Sequence, residues 1–431
     1  MADLLALSAR YIDEGVYEGP GSVNRVTTEL SEVAPGIGFV EAFSHVVALT
    51  TEAGLVLFDT SLEALGEAVR KSLRGWSDRP VHSLVYTHGH IDHVGGAHAF
   101  VQEARGRGLP DPNVIAHENV PPRFDRYVRT NGYNAAINLR QFGGGRGSRA
   151  IALQGEERER FGPEHWVRPQ TTFRERLRVR IGEVEMELRH ARGETDDHLW
   201  AWIPERRTLC VGDFVIWVFP NAGNPQKVQR YPLEWANALR EMAALDAELL
   251  LPAHGLPIGG ANRIRRVLGD CAEVLESLVE QSLRLMNEGA RLDTLLHEVR
   301  VPSELLERPY LRPAYDEPEF VIRNVWRLYG GWYDGNPARL KPAPDAAVAN
   351  EVATLAGGAA VLAQRARVLA EQGDLRLACH LAEMAGLAAP TDREVHAIRA
   401  EVYQRRRDAE LSLMSKGVYA DAARRSRAIA E

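Results

Sequence analysis

The sequence predicts a layered α/β domain followed by an all-helical region. Three observations carry this reading. From about residue 40 to residue 107, short apolar runs alternate with stretches of helical period. One of those runs, Val81 to Tyr86, leads directly into Thr87-His88-Gly89-His90-Ile91-Asp92-His93-Val94-Gly95-Gly96, and an α/β sheet places its chemistry at strand ends. Beyond residue 260 the strand-like runs stop, and Leu268, Val274, Leu275, Leu278, Leu283, Leu285 and Met286 recur near helical spacing.

Taken in order, Ser44 to Leu49 and Gly54 to Thr60 are two apolar runs joined by a short turn, a hairpin signal. Asp59 closes the second run. It can accept hydrogen bonds from the His-rich loop, or serve as the N-cap of a helix over Ser61 to Arg74. After the His-rich loop, Ala97 to Arg107 reads as a helix. From Glu118 to Arg180 the pattern is irregular, with Pro121-Pro122, Gly143-Gly144-Gly145 and many arginines, so residues 118–180 are expected to be a loop-rich insertion of the kind that covers a substrate. Strands resume at Leu177 to Ile181, Val184 to His190, Leu199 to Ile203 and Thr208 to Gly212. The first domain is expected to close near Ile258-Gly259-Gly260, giving 1–262, with 263–431 as the helical domain. Within the latter, Ala363 to Arg405, broken at Gly373-Asp374 and Ala389-Pro390, looks like helix pairs of the tetratricopeptide kind over little more than one repeat.

His88, His90, Asp92 and His93 offer neutral nitrogen and hard oxygen donors within one loop, the mixture that zinc and its first-row neighbours accept. From that mixture of donors two metals are expected. A His-rich polar turn is the plainer reading. The strand before it and the Gly-Gly after it favour the metal.

His-x-His-x-Asp-His is the signature that resembles the metallo-β-lactamase fold of binuclear metallohydrolases. The resemblance implies an αββα sandwich and a metal-bridging hydroxide as nucleophile. It also implies further ligands at later strand ends. Asp213, after Leu209-Cys210-Val211-Gly212, matches the position of the bridging acid, and His254, after Leu249-Leu250-Leu251-Pro252-Ala253, matches the last histidine. Where most of the superfamily has a histidine after Pro-Gly, this chain has His190-Ala191-Arg192-Gly193-Glu194-Thr195-Asp196-Asp197-His198. Glu194 takes that position, with His190 and His198 as rivals. A carboxylate suits zinc at a similar bond length.

A glutamate there is similar to the alkylsulfatase branch, which carries a helical dimerisation domain behind its hydrolase core. Glu118-Asn119-Val120, Gly132, Asn134-Ala135 and Gln141-Phe142-Gly143 look like that branch's insertion loop, and Arg323 to Pro337 is similar to its dimerisation domain. The resemblance implies a homodimer through roughly Arg265 to Ala400, to which Trp326, Trp332 and Tyr333 would contribute. The chain also departs from the branch. Its bridging acid is Asp213 where the branch uses glutamate, Ile137-Asn138-Leu139 and Gly223-Asn224-Pro225 replace expected sulfate-clamping arginines, and the sterol-carrier-like domain of full-length members is not expected. Lys227, Arg230, Arg140 or Arg123 are the substitutes on offer, each equally readable as a surface charge.

The resemblance therefore implies that His88, His90 and Glu194 hold one metal and Asp92, His93 and His254 the other, with Asp213 between them. Two zinc ions are expected, with manganese or iron as alternatives, and Asp92 and Asp213 are the catalytic carboxylates. Tyr133, Asn134 and Asn221 are the substrate-contact candidates. The expected substrate is a small organic ester, alkyl sulfate first, with thioester, lactone or carboxylic ester as the alternative. A non-enzymatic reading has the helices docking a partner, the metal site being secondary.

Composition bounds the rest. With 431 residues, 45% of them hydrophobic and 26% charged, the chain can bury a large core. A net charge of −7 provides no positive field for nucleic acid. Three scattered cysteines form neither a disulfide framework nor a CxxC site and suit a reducing interior. The leader Met1 to Gly15 lacks a basic start, and no run reaches the roughly 18 apolar residues of a membrane span. A cytoplasmic location is expected.

Overall fold

The computed structural model describes residues 3–16, 18–145, 153 and 160–431; the rest of the expected insertion lies outside them. Two sheets form. Strands β1 (Leu30–Ala34), β2 (Ile37–Val40), β3 (Val46–Thr51), β4 (Gly54–Phe58), β5 (Val81–Val85), β6 (Asn113–His117) and β7 (Thr171–Phe173) lie in sequence order in the first. The second runs β13 (Ile258–Gly259), β12 (Leu249–Pro252), β11 (Thr208–Gly212), β10 (Leu199–Ile203), β9 (Val184–His190) and β8 (Arg176–Ile181). The expected hairpin is β3 with β4, antiparallel from Val47 opposite Phe58 to Thr51 opposite Gly54.

The two-residue period of the strands separates two cores. On β3 and β4, Val47, Leu49, Val56 and Phe58 join a cluster with Met186, Leu188, Leu199 and Leu209 of the second sheet. The alternate residues Val46, Ala48, Leu55 and Leu57 join Val69 and Leu73 of helix α3 (Glu63–Trp76) and Ala97 and Phe100 of α5 (Ala97–Gly106). Strands buried on both faces read as continuous apolar runs, which is why they stand out in the sequence. Sheet against sheet, with helices on the outer face of the first, is the expected sandwich.

Helix α3 begins at Glu63 instead of Ser61, because Asp59 and Ser61 occupy the left-handed region at φ 59° and 61°. The stretch expected to be loop-rich, 118–180, carries instead α6 (Val120–Arg129), α7 (Asn131–Gln141), β7 and most of β8. Pro121-Pro122, taken as a sign of irregular structure, sits in the first turn of α6, where a fixed φ suits the helix and no N–H is needed.

The chain divides into two compact units, 1–131 with 162–331, and 132–161 with 332–431. The long helix Ala261–Asn287 and the helix Pro318–Gly330 belong to the first. In the second, helices Ala359–Glu371, Leu375–Ala388 and Arg393–Asp408 are broken at Gly373-Asp374 and near Pro390, as the sequence suggests, and their alanine-rich faces form a separate core. The segment 132–145 packs there too. A Cβ on Gly417, in helix Leu413–Ala430, would fall 1.7 Å from the Gln141 carbonyl oxygen, so only glycine admits this approach. Among the described residues no single helix is long and apolar enough to cross a membrane.

Candidate metal centre

Every expected metal donor stands just beyond the C-terminal end of a strand. His88 and His90 follow β5, and Asp92 and His93 lie in the single turn α4 (Ile91–Val94) that His90 precedes. Glu194 lies between β9 and β10, Asp213 follows β11, and His254 follows β12. The Gly-Gly that closes the motif serves packing: a Cβ on Gly96 would fall 2.0 Å from the Thr60 carbonyl oxygen.

The donors form two clusters. His88, His90, Glu194 and Asp213 each bring one atom within 4.8 Å of the others, and Asp92, His93 and His254 do the same. Asp213 faces both. Its Oδ2 lies 3.9 Å from His88 Nε2, while its Oδ1 lies 3.5 Å from His93 Nε2 and 3.6 Å from His254 Nε2. Asp92 Oδ2 completes the second cluster at 3.6 Å from His93 Nε2 and 3.4 Å from His254 Nε2. His93 Nε2, Asp213 Oδ1 and Glu194 Oε2 are buried without a hydrogen-bond partner. Buried polar atoms are almost always paired, so three orphans converging here fit a donor set for cations.

The outer groups fix the inner ones. Asp59 Oδ2 lies 2.7 Å from His93 Nδ1, and its carboxylate accepts from Thr87 N and Oγ1, each at 2.7 Å. The first reading of Asp59 therefore holds, and α3 has no side-chain cap. Asp197 Oδ2 accepts from Gly89 N at 3.1 Å and from Arg123 Nε at 2.6 Å, and Arg123 also binds Asp196. Glu194 Oε1 accepts from Asn221 Nδ2 and Arg230 Nη1, both at 2.6 Å.

Burial depresses the basicity of His88 and His90 well below the usual imidazole range, aided by neighbouring His93 for the first and Arg230 for the second. His93 moves up, because the carboxylates of Asp213, Asp59 and Asp92 outweigh its burial. Burial would also push Asp213 up, but His93 and His254 hold it well below the usual carboxylate range. Glu194 is pushed up to about 8 by burial, against the pull of Arg230 and with the help of Asp213. Neutral His88 and His90 beside an ionised Asp213 are in the state a cation needs, whereas His93 and Glu194 would give up a proton when one binds.

The sequence profile of the metallo-beta-lactamase superfamily matches residues 38–254, half of the chain, and ends on the last histidine of the centre. The chain belongs to the metallo-beta-lactamase superfamily. The alkyl sulfatase dimerisation profile matches residues 291–428 behind that domain. A linear primary-alkylsulfatase from Pseudomonas sp. is 28% identical over 363 residues, 79% of this chain and 65% of its own. An (R)-specific secondary-alkylsulfatase from Pseudomonas sp. is 26% identical over 396 residues, 87% of this chain and 59% of its own. The chain thus spans less than two thirds of the length of these curated relatives. The solved structure of the stereoselective inverting sec-alkylsulfatase Pisa1 from Pseudomonas sp. shares the fold, with a TM-score of 0.81 and 24% identity over 93% of this chain and 66% of that one.

Within this superfamily scaffold the rival histidines have other partners. His198 Nε2 accepts from Asp213 N at 3.2 Å, and its ring stacks on Phe214. His190 Nδ1 contacts the His198 carbonyl oxygen at 2.8 Å and stacks on His117. Of the substrate-contact candidates, Asn221 touches Glu194, while Tyr133 and Asn134 stand on α7 in the second unit. Among the substitute cations, buried Arg123 and Arg230 are engaged by carboxylates, so they are not surface charges. His45 escaped the sequence reading as anything but a strand residue; its Nε2 lies 3.1 Å from Gly255 N and braces the turn that carries His254.

Proposed function

We propose that the chain is a binuclear metal-dependent hydrolase of an organic sulfate ester. The observation that carries this reading is the Asp213 carboxylate, which turns one oxygen towards each donor cluster. His88, His90 and Glu194 would hold one cation, Asp92, His93 and His254 the other, with Asp213 shared. Zinc is the first choice for nitrogen and carboxylate donors, and manganese or iron the alternatives. Bound there, two cations would supply an activated water at neutral pH and offset the charge that develops on the departing oxygen.

The chain's own residues set up that chemistry. Asp59 fixes the His93 tautomer, so that Nε2 faces the centre with its lone pair. Arg230 and Asn221 occupy one oxygen of Glu194 and leave the other. Asn221 Oδ1 is itself buried without a partner and offers an acceptor to a bound ligand, and Tyr133 and Asn134 are the further substrate-contact candidates.

Alkyl sulfate is proposed from the relatives' names, which give alkylsulfatases over most of this chain. Thioester, lactone or carboxylic ester hydrolysis is the second reading, favoured by one observation: Arg123 and Arg230 already pair with carboxylates, which leaves fewer of their donors for a sulfate. The test is turnover of the zinc- and manganese-loaded protein on linear alkyl sulfates, thioesters and lactones. Release of sulfate well above the metal-stripped control is the expected result, and turnover of acyl substrates alone would replace it with the second reading.

A further inference from the structure

The two groups that touch Glu194 come from one loop, and that loop is held by a helix far along the chain. Asn324, on the helix Pro318–Gly330, is buried. Its Nδ2 donates to the carbonyl oxygens of Ala222 and Arg230, both at 2.9 Å. Its Oδ1 accepts from Gln229 Nε2 at 3.0 Å and from Arg327 Nη2 at 3.1 Å. Ala222 follows Asn221 directly, and Arg230 is the other Glu194 partner, so one amide ties together the two ends of the segment 221–230. Asp316 adds a further tie, its Oδ2 accepting from Gly223 N at 2.6 Å and Asn224 N at 3.1 Å.

Only an amide satisfies this arrangement. It must donate twice to carbonyls and still present an acceptor, whereas a carboxylate would face both carbonyls with lone pairs and an apolar side chain would leave two buried carbonyls unpaired. The consequence reaches Glu194, whose Oε1 is held by Asn221 and Arg230 and whose Oε2 is left without a partner.

We propose that Asn324 is a positioning residue for the Glu194 side of the metal centre: by clamping both ends of the 221–230 segment it sets Asn221 and Arg230 on one Glu194 oxygen and leaves the other for a cation. The proposal rests on the two-metal reading. Groups that orient a ligand typically change metal affinity by about 10 to 100-fold when removed.

The experiment measures zinc content by elemental analysis and zinc affinity by competition with a chromogenic chelator, for the full chain, Asn324→Ala, Glu194→Ala and the double variant. Tyr310→Phe, which removes a hydrogen bond to Asp270 elsewhere in the same unit, is the control. The full chain should hold two zinc ions per chain. Asn324→Ala should weaken one of them by about 10 to 100-fold and leave the other unchanged. In the Glu194→Ala background, where the weaker site is already lost, Asn324→Ala should have no effect on the ion that stays, and Tyr310→Phe should have no effect in either background. Two ions held by Asn324→Ala at full affinity, or both weakened equally, would overturn the proposal. Fewer than two ions in the unmodified chain would instead overturn the two-metal reading beneath it. If Asn324→Ala does not fold, Asn324→Asp puts the same question, since it keeps the size and the acceptor and removes both donations.

Discussion

Asp59 and Asp213 face opposite edges of one imidazole: Asp59 Oδ2 lies 2.7 Å from His93 Nδ1, and Asp213 Oδ1 lies 3.5 Å from His93 Nε2. Asp59 does so from a left-handed backbone position, φ 59°, that a non-glycine residue adopts at a cost in strain. Asp59→Asn keeps an acceptor for Thr87 N but presents an amide N–H to His93 Nδ1. The ring should then turn or change tautomer, and metal affinity or turnover should fall by about 10 to 100-fold with the fold retained. Chelator competition beside circular dichroism checks both halves; unchanged affinity would show that Asp59 does not orient the ring.

Glu194 should be the most damaging position among the three residues of its segment. Glu194→Ala should remove one of two metals and nearly all turnover, while His198→Ala, which loses an acceptor for Asp213 N, should cost about 10 to 100-fold, and His190→Ala less. Full two-metal occupancy in Glu194→Ala together with a lost ion in His198→Ala would reverse the ligand assignment.

The buried pair of Arg123 and Asp197 makes a prediction about acid. Burial pushes the Asp197 carboxyl up, but the Arg123 guanidinium outweighs it and holds the folded value below the ordinary one. The pair's contribution is therefore present above the ordinary carboxylate pKa and is lost as the pH falls through the lower folded value. Arg123→Met should destabilise the protein by about 3–5 kcal/mol at pH 7, because it strands a buried charge. The deficit should shrink towards pH 4, where the stranded carboxyl takes up a proton. Urea titrations at the two pH values decide it, and a pH-independent deficit would point to lost packing instead.

The dimerisation profile over residues 291–428 leads us to expect a homodimer. Within the second unit Leu355 is 87% exposed and Trp332 70% exposed, apolar surface that a partner copy would cover. Trp326, grouped with Trp332 in the sequence, instead packs against the core of the first unit. Light scattering at micromolar concentration should give about twice 47.9 kDa. A clean monomer would remove the dimer and favour a helical surface for some other partner.

The parts of the site that could be read in the sequence are those that local pattern encodes. His88 to His93, Asp213 and His254 each follow an apolar run that is a strand, so a strand end plus a donor located them. Pattern could not choose between the two roles of Asp59, since a strand-ending acid before a helix looks the same in both; the left-handed turn at Asp59 and Ser61 decided it. Nor could it reveal the paired state of Arg230 and Arg123, which depends on carboxylates brought close only by folding. Asn324 lies about a hundred residues from the segment it holds, and although it falls in the stretch Arg323 to Pro337 that resembles the dimerisation domain, nothing there points to residues 221–230. Pro121-Pro122 misled because proline breaks helices everywhere except at their start.

The approach of Gly417 to Gln141 has a consequence for how the protein is made. During synthesis domains tend to fold as they emerge, and the strands on either side of 132–161 all belong to a unit that can be assembled first. Residues 132–145 leave the ribosome with that unit, yet their packing partners around Gly417 are translated long afterwards. The segment that carries α7 must wait for the last helices, Gln141 and Gly144 lacking until then the neighbours that Gly417 and Asp421 supply. Late contacts of this range are slow to form, so the interval between the two units is where a nascent chain would be most open to chaperones, proteases and aggregation.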